Sequence, residues 1–174
     1  MGWVIKMNKI ELLSPAGNME RLKIALLYGA DAVYIGGEAF SLRANARNFS
    51  LEDMREGIRY AHEHGVRVHV TANIIAHNND LDAAGDYFEE LKTAGPDALI
   101  ISDPGIFMLA REILPDTDIH ISTQSNSTNY GTFNFWHDAG AKRVVCAREL
   151  SLDEIRQLRQ RIHPDMEIEA FVHG

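Results

Sequence analysis

Three things are scarce in this sequence of 174 residues: cysteine, long apolar runs and positive charge. A single cysteine, Cys146, excludes an internal disulfide framework and any metal site built only from cysteines of this chain. No apolar run approaches the roughly 20 residues that crossing a bilayer requires, and residues 1–9 do not resemble a signal peptide. We therefore expect a cytoplasmic protein without membrane contact. The formal net charge of −8 argues against a generic nucleic-acid coat, although a local basic groove stays possible.

Several catalytic motifs are also missing. The chain has no HExxH zinc-protease motif, no GxSxG nucleophile elbow, no P-loop and no GxGxxG fingerprint. His62 and His64 lie two residues apart on a predicted helix, so they do not face one site. Cys146 lies in an apolar run, which favours a buried, inert thiol. We predict no metal site within these residues, and the residues alone name no reaction.

What the sequence does contain is one unit, repeated: a short β-rich run, a turn and a helical run. Its 45% hydrophobic and 24% charged residues are ordinary for a soluble globular domain. The predicted strands are 10–14, 32–35, 67–72, 98–102, 119–123, 143–147 and 167–172. The predicted helices are 19–28, 51–64, 81–94, 106–114, 130–139 and 152–162, with caps at Asn18, Ser50, Asp80, Asn129 and Ser151. This alternation indicates βαβ units and a parallel α/β sheet.

Two parallel architectures fit the pattern, a doubly wound sheet and a (β/α) barrel. Three strands alternate polar and apolar residues, at 66–73, 119–124 and 166–173. This alternation is typical of a barrel strand, which packs one face on helices and turns the other to the lumen. A strand of a doubly wound sheet is buried on both faces and apolar throughout. We therefore predict a parallel TIM-type (β/α) barrel, truncated at about the seventh strand. Residues 1–8 are expected to be an extension, and 9–174 one incomplete barrel domain of a longer protein.

The segment from residue 31 to 49 is the first candidate for a functional loop. A short strand is expected to stop at Gly36-Gly37, where a backbone without Cβ turns sharply or lets a ligand approach. A polar loop with Glu38, Arg43 and Arg47 follows. These arginines either bind an anion at the mouth of the barrel or pair with nearby carboxylates and order the loop.

The carboxyl ends of parallel strands are where such folds bind ligands. Polar groups follow nearly every predicted strand end, and the candidates for a site there are Asn73, Gln124, Arg148 and His173. Asp103 precedes Pro104-Gly105 and is interpreted as a turn and cap residue rather than a catalyst. One layer below, His69, His120 and Glu169 are predicted to face the lumen, either as a hydrogen-bonded structural network or as catalytic groups.

Five segments together resemble one known family: ELLSPAGNME (11–20), ADAVYIGG (30–37), DALIISDPG (97–105), HISTQS (120–125) and EAFVHG (169–174). They are similar to the U-32 peptidase family, the collagenase-like proteases, which also includes proteins for oxygen-independent hydroxylation of tRNA uridine, rRNA cytidine and ubiquinone precursors. The resemblance covers almost the whole chain from Lys9.

The resemblance implies a TIM-type barrel and a 4Fe–4S cluster, held by four cysteines that follow the segment matching 171–174. It implies an RNA hydroxylation enzyme, closest to the tRNA uridine members, with prephenate as hydroxyl source. In that hypothesis Glu38, Asn73, Gln124 and His173 are catalytic, and the arginines at 43, 47 and 148 bind substrate. A peptidase is the alternative, and the missing nucleophile motif counts against it. A non-catalytic scaffold that works with a partner subunit is a third hypothesis.

Overall fold

Parallel strands alternate with helices along nearly all of the chain. The computed structural model describes residues 10–41 and 48–173, and for residues 38–41 it describes the backbone alone. The strands are β1 (Leu13–Pro15), β2 (Ala32–Ser41), β3 (Arg67–Asn73), β4 (Ala98–Ile101), β5 (Asp118–Ile121), β6 (Arg143–Val145) and β7 (Glu167–Glu169). The helices are α1 (Met19–Leu27), α2 (Leu51–Glu63), α3 (Asn78–Ala94), α4 (Pro104–Ile113), α5 (Tyr130–Ala139) and α6 (Leu152–Arg161). A 3₁₀ turn spans Thr123–Ser125.

The seven strands form one sheet in the order β1 to β7, and every neighbouring pair is parallel. Sequential order confirms the predicted barrel and excludes the doubly wound alternative, whose strand order reverses. As expected, β2 pairs between β1 and β3. None of the helices in residues 10–41 and 48–173 combines the length and apolarity needed to cross a membrane.

One ion pair shows that the sheet is strongly curled. Glu11 lies just before β1 and Arg143 lies on β6, yet Nη1 of Arg143 donates to Oε1 of Glu11 at 2.6 Å. In a flat sheet, five strand spacings of about 4.8 Å would hold β1 and β6 about 24 Å apart. The pair therefore crosses the lumen of an open barrel.

The two faces of the strands differ as the alternation predicts. Val68, Val70, Ile119 and Ile121 belong to the buried apolar core shared with the helices, and Ile168 packs against it. On the opposite face His69 contacts His120, and Glu169 contacts Arg143. The predicted orientation of all three strands is confirmed.

Glycines and capping side chains lie at the ends of the helices. Gly29, Gly65, Gly95 and Gly140 all have positive φ after a helix, as glycines that end helices commonly do. Four of the five predicted caps are confirmed, at Asn18, Ser50, Asn129 and Ser151. The fifth is wrong. Helix α3 begins at Asn78 after His77, and Asp80 is its third residue, with Oδ2 accepting from the His77 N–H at 2.8 Å.

The predicted turn at Gly36-Gly37 is also wrong. Strand β2 continues to Ser41, and neither glycine has a positive φ. Its register against β3 shifts, since Gly36 pairs with Thr71 but Ser41 with Asn73. Small residues thus mark an irregularity within the strand rather than its end, as glycine in strands often does.

Several other predicted strands are too long at one end. Strands β6 and β7 are three residues each, and β5 gives way to the 3₁₀ turn after Ile121. Strand β1 begins at Leu13 rather than residue 10. Apolar composition continues past the residues that are hydrogen-bonded to a neighbouring strand. Composition alone therefore overestimates the lengths of these strands.

Candidate functional site

The carboxyl ends of β3 and β5 are joined by side-chain hydrogen bonds. Nδ2 of Asn73 donates to Oγ of Ser122 at 3.1 Å, across the intervening strand β4. The same Oγ accepts the Gln124 N–H at 3.3 Å and so starts the 3₁₀ turn. Oδ1 of Asn73 is buried and has no hydrogen-bond partner among the described residues. A buried amide oxygen without a partner is costly, so this atom has acceptor capacity that the described residues leave unused.

Two histidines lie below this rim in the lumen. The rings of His69 and His120 are 1% and 2% exposed, and they meet edge to face with centroids 4.7 Å apart. Burial, reinforced by the positive charge of Arg143, lowers the pKa of His69 to about 4 and that of His120 to about 2. Both are neutral at pH 7, so each ring offers one N–H donor and one acceptor. The Nδ1 atom of each ring is buried without a partner in the part of the chain that the structure describes.

Arg143 forms ion pairs with several carboxylates in the lumen. Its Nε and Nη2 donate to Oε2 of Glu167 at 2.8 and 2.6 Å, and its Nη1 donates to Glu11 and, at 3.3 Å, to Glu169. Arg67 forms a further ion pair with Glu11. Burial raises the pKa of Glu169, and the Arg143 charge opposes that rise. One guanidinium thus neutralises three carboxylates, one just before β1 and two on β7.

A second group of polar residues lies at the carboxyl ends of β6 and β7. Arg148, Phe171 and His173 line a cleft of about 300 Å³ there, together with Cys146. The guanidinium of Arg148 lies 4.7 Å from the centre of the Phe171 ring. Cys146 is 3% exposed, and burial raises the pKa of its thiol to about 11, so it is the inert thiol that its apolar run predicts.

The predicted site residues therefore fall into separate groups. Asn73 and Gln124 meet through Ser122, whereas Arg148 and His173 share the cleft at β6 and β7. Glu38 lies on β2, and its side chain is not described. Arg43 and Arg47 lie outside the described residues, so their anion-binding role stays a prediction.

Asp103 is a helix cap, as interpreted from the sequence. Its Oδ1 accepts the N–H groups of Gly105 and Ile106 at 2.8 and 3.0 Å and so caps α4. Pro104 at the first helical position has no N–H, and Asp103 satisfies the donors of the next two residues.

Sequence reasoning did not single out several residues of these groups, among them Arg143 and Phe171. Arg143 could have been noticed as one basic residue beginning an apolar strand, opposite a strand with Glu167 and Glu169 on one face. Phe171 gave no such signal, because a phenylalanine after a strand usually packs into the core.

The described residues do not fit an iron–sulfur cluster. Within 10–41 and 48–173, no three His, Cys, Asp or Glu side chains converge in a way that could hold a metal ion. Cluster ligation takes thiolates, and the one cysteine of the sequence is buried with a raised pKa. No chemical step is therefore assigned to such a group here.

The hydrogen bonds of the described histidines also give no nucleophile–base pair. His62, His64, His137 and His163 contact carboxylates or backbone groups, and no hydroxyl or thiol of the described residues is bonded to an imidazole. Ser122 is instead held by Asn73 and by the Gln124 N–H. The arrangement that serine and cysteine peptidases use is thus missing from the described part of the chain.

Comparison with known proteins adds relatives of two kinds. The tRNA hydroxylation protein P1 of Bacillus subtilis (strain 168) is 46% identical over 166 residues, which are 95% of this chain and 39% of that protein. A 23S rRNA 5-hydroxycytidine synthase of Escherichia coli (strain K12) is 41% identical over 170 residues, 98% of this chain and 25% of that protein. The chain thus spans about two fifths of the length of the first relative and a quarter of the second.

A solved structure supports the fold of the chain, and a family model identifies its family. The solved structure of a U32 peptidase superposes with a TM-score of 0.73 over 95% of this chain and 70% of that one, at 14% identity, which supports the barrel fold alone. The family model described as Peptidase family U32 matches residues 17–174. With this match and relatives above 40% identity, the chain belongs to peptidase family U32.

Proposed function

We propose that this chain forms the substrate-facing barrel segment of an RNA hydroxylation enzyme, with tRNA uridine as target and prephenate as source of the hydroxyl group. The observation that carries the proposal is the 46% identity, over 95% of the chain, to a protein named for tRNA hydroxylation. The target nucleoside and prephenate come from the family resemblance. The 4Fe–4S cluster that the resemblance also implies would take its thiolates from cysteines outside these 174 residues.

The polar groups at the strand ends are compatible with this role. Asn73 is held by Ser122, and its Oδ1, which has no partner among the described residues, suits a substrate hydroxyl or base N–H. Arg148 suits a phosphate or carboxylate, because its planar donors carry permanent charge. In the proposed enzyme these residues bind and orient the reactants.

A peptidase is the competing function, since the family carries that name. Peptide hydrolysis by a side-chain nucleophile needs a base within hydrogen-bond reach of it. The described residues contain no such pair, and two relatives, 46% and 41% identical, are named for RNA hydroxylation. The RNA reaction is therefore the better supported function.

The test uses the full-length protein in a bacterial strain whose own tRNA hydroxylation protein is deleted. Total tRNA is digested to nucleosides, and 5-hydroxyuridine and its derivatives are measured by mass spectrometry. We expect the protein to restore them, and Asn73→Ala and Arg148→Ala to reduce the yield at least tenfold. Arg156→Ala is the matched control, because Arg156 is exposed and pairs only with Asp153 on α6.

Restoration by the wild type that is lost in both site variants would support the proposal. No hydroxylated nucleoside in tRNA or rRNA, from a protein that accumulates normally, would overturn it. RNA binding without product would instead favour the scaffold hypothesis.

A further inference from the structure

The cleft at the ends of β6 and β7 has an unusual charge for this chain. The sequence carries 25 acidic against 17 basic residues, yet the described residues that line the cleft include Arg148 and His173 and no carboxylate. Its volume of about 300 Å³ matches the small end of the range for ligand pockets. The cleft therefore suits a small unit that carries negative charge.

Arg148 is available to such a ligand. It has no hydrogen bond and no ion pair to any described residue, and its guanidinium lies over the ring face of Phe171, 4.7 Å from the ring centre. Arg143 and Arg59 differ, because both are engaged by glutamates. The planar donors of Arg148 thus stay free for an anion, while stacking on the ring fixes their plane.

Phe171 is the other unusual feature. Within the described residues it is 47% exposed, although a phenylalanine normally buries most of its surface. It lies two residues after β7, at the edge of the barrel where ligands bind. An exposed aromatic ring beside a free guanidinium is the combination with which proteins bind single-stranded RNA, since bases stack on either plane and the cation binds the phosphate.

We propose that this cleft binds one unpaired nucleotide of the RNA substrate, with its base stacked against Phe171 and Arg148 and its phosphate bound by Arg148. The proposal rests on the RNA hydroxylation function and adds the recognition element for the target strand. A double helix is not the ligand, because its bases are stacked on each other and present no face to Phe171.

The first experiment locates the base. Full-length protein is mixed with a single-stranded RNA that carries 5-iodouridine, irradiated in the near ultraviolet and digested, and the cross-linked peptide is sequenced by mass spectrometry. Iodouridine couples to an aromatic ring stacked on it, so we expect the cross-link at Phe171. Cross-links confined to other peptides would overturn the proposal.

The second experiment measures affinity for the same RNA by fluorescence anisotropy at fixed salt. Phe171→Leu is expected to weaken binding about tenfold, Phe171→Trp to keep or strengthen it, and Arg148→Lys to weaken it despite the retained charge. Phe135→Leu and Arg156→Lys are the matched controls. Phe135 is 60% exposed on α5, so both phenylalanine variants lose one exposed ring and their melting temperatures should stay near that of the wild type.

The outcomes separate this inference from the function on which it rests. Unchanged RNA affinity of Phe171→Leu, in a protein that still hydroxylates tRNA, would overturn the nucleotide site and leave the function standing. Weaker prephenate binding with unchanged RNA binding in that variant would assign the cleft to the small acid and also overturn the proposal. Failure of the wild type to bind or modify RNA would overturn both.

Discussion

The imidazole of His69 on β3 meets that of His120 on β5 edge to face, at 4.7 Å between ring centroids. Strand β4 separates the two strands, so the contact depends on the curl of the sheet. Both rings are buried and neutral, within reach of the positive field of Arg143. The pair therefore makes the stability of the barrel sensitive to acid.

The first prediction is a loss of stability between pH 7 and pH 5. The folded-state pKa values of His69 and His120 lie below the ordinary 6.5, so in this window the unfolded chain binds protons that the folded chain does not. Stability is fully present above pH 6.5 and falls as the pH drops, by about 2 kcal/mol per histidine down to pH 5. Glu169, whose pKa is raised, acts in the opposite direction.

Urea unfolding of the wild type at pH 7, 6 and 5 measures this dependence. His69→Gln and His120→Gln should each remove about half of it, and exposed His64→Gln serves as the control. A free energy of unfolding that stays constant from pH 7 to pH 5 would contradict the prediction.

The second prediction concerns Arg143. Arg143→Met leaves the carboxylates of Glu11, Glu167 and Glu169 without their shared partner, so it should lower the free energy of unfolding by about 3–5 kcal/mol. Arg156→Met, which breaks an exposed pair with Asp153, should change it by less than about 0.5 kcal/mol. Thermal and urea melts compare the two.

Adding Glu11→Gln to Arg143→Met should recover part of the loss, because one unpaired carboxylate is removed. If Arg143→Met and Arg156→Met were equally stable, Arg143 would have no role in holding the lumen together.

The third prediction separates a cap from a catalyst. Asp103→Ala removes the acceptor for the N–H groups of Gly105 and Ile106, so it should destabilise the protein by about 1 kcal/mol. Asp103→Asn keeps an acceptor and should melt within a few degrees of the wild type. Both variants should retain tRNA hydroxylation at low temperature. Loss of product in a folded Asp103→Asn protein would make Asp103 a member of the site.

The fourth prediction is that the protein does not cleave peptides. Ser122 is bonded to Asn73 and the Gln124 N–H, and no described histidine contacts it. Casein and fluorogenic peptide assays, run with a chelator, should give the same background for the wild type and for Ser122→Ala. Proteolysis that Ser122→Ala abolishes would reverse this conclusion.

The fold was predictable because local signals agree with one another. The alternation at His69 and His120 identifies the lumen face, and a positive-φ glycine follows four of the six described helices, shortly before the next strand. Strand ends were less predictable, since β6 and β7 stop where their hydrogen-bonded neighbours stop rather than where apolar residues end.

The candidate site was predictable only in part. Asn73 and Gln124 follow from their position at strand ends, but their link through Ser122 depends on which strands lie side by side. The partners of Arg143 come from two distant segments, the residues before β1 and strand β7, and the exposure of Phe171 depends on packing around β7. The spacing of residues in the sequence predicts neither the partners of Arg143 nor the exposure of Phe171.

The pairing of Glu11 with Arg143 also has a consequence for how the protein is made. The two residues are separated by 132 positions, so at about 5–20 residues per second Glu11 leaves the ribosome roughly ten seconds before its partner. During that interval the nascent strands can pair with their neighbours and Glu11 can pair with Arg67, but the ion pair that joins β6 to the start of the barrel is missing. Curling of the sheet into a barrel is therefore a late event of synthesis, and slow codons between β5 and β6 would prolong the time that its polar face stays open to water and chaperones.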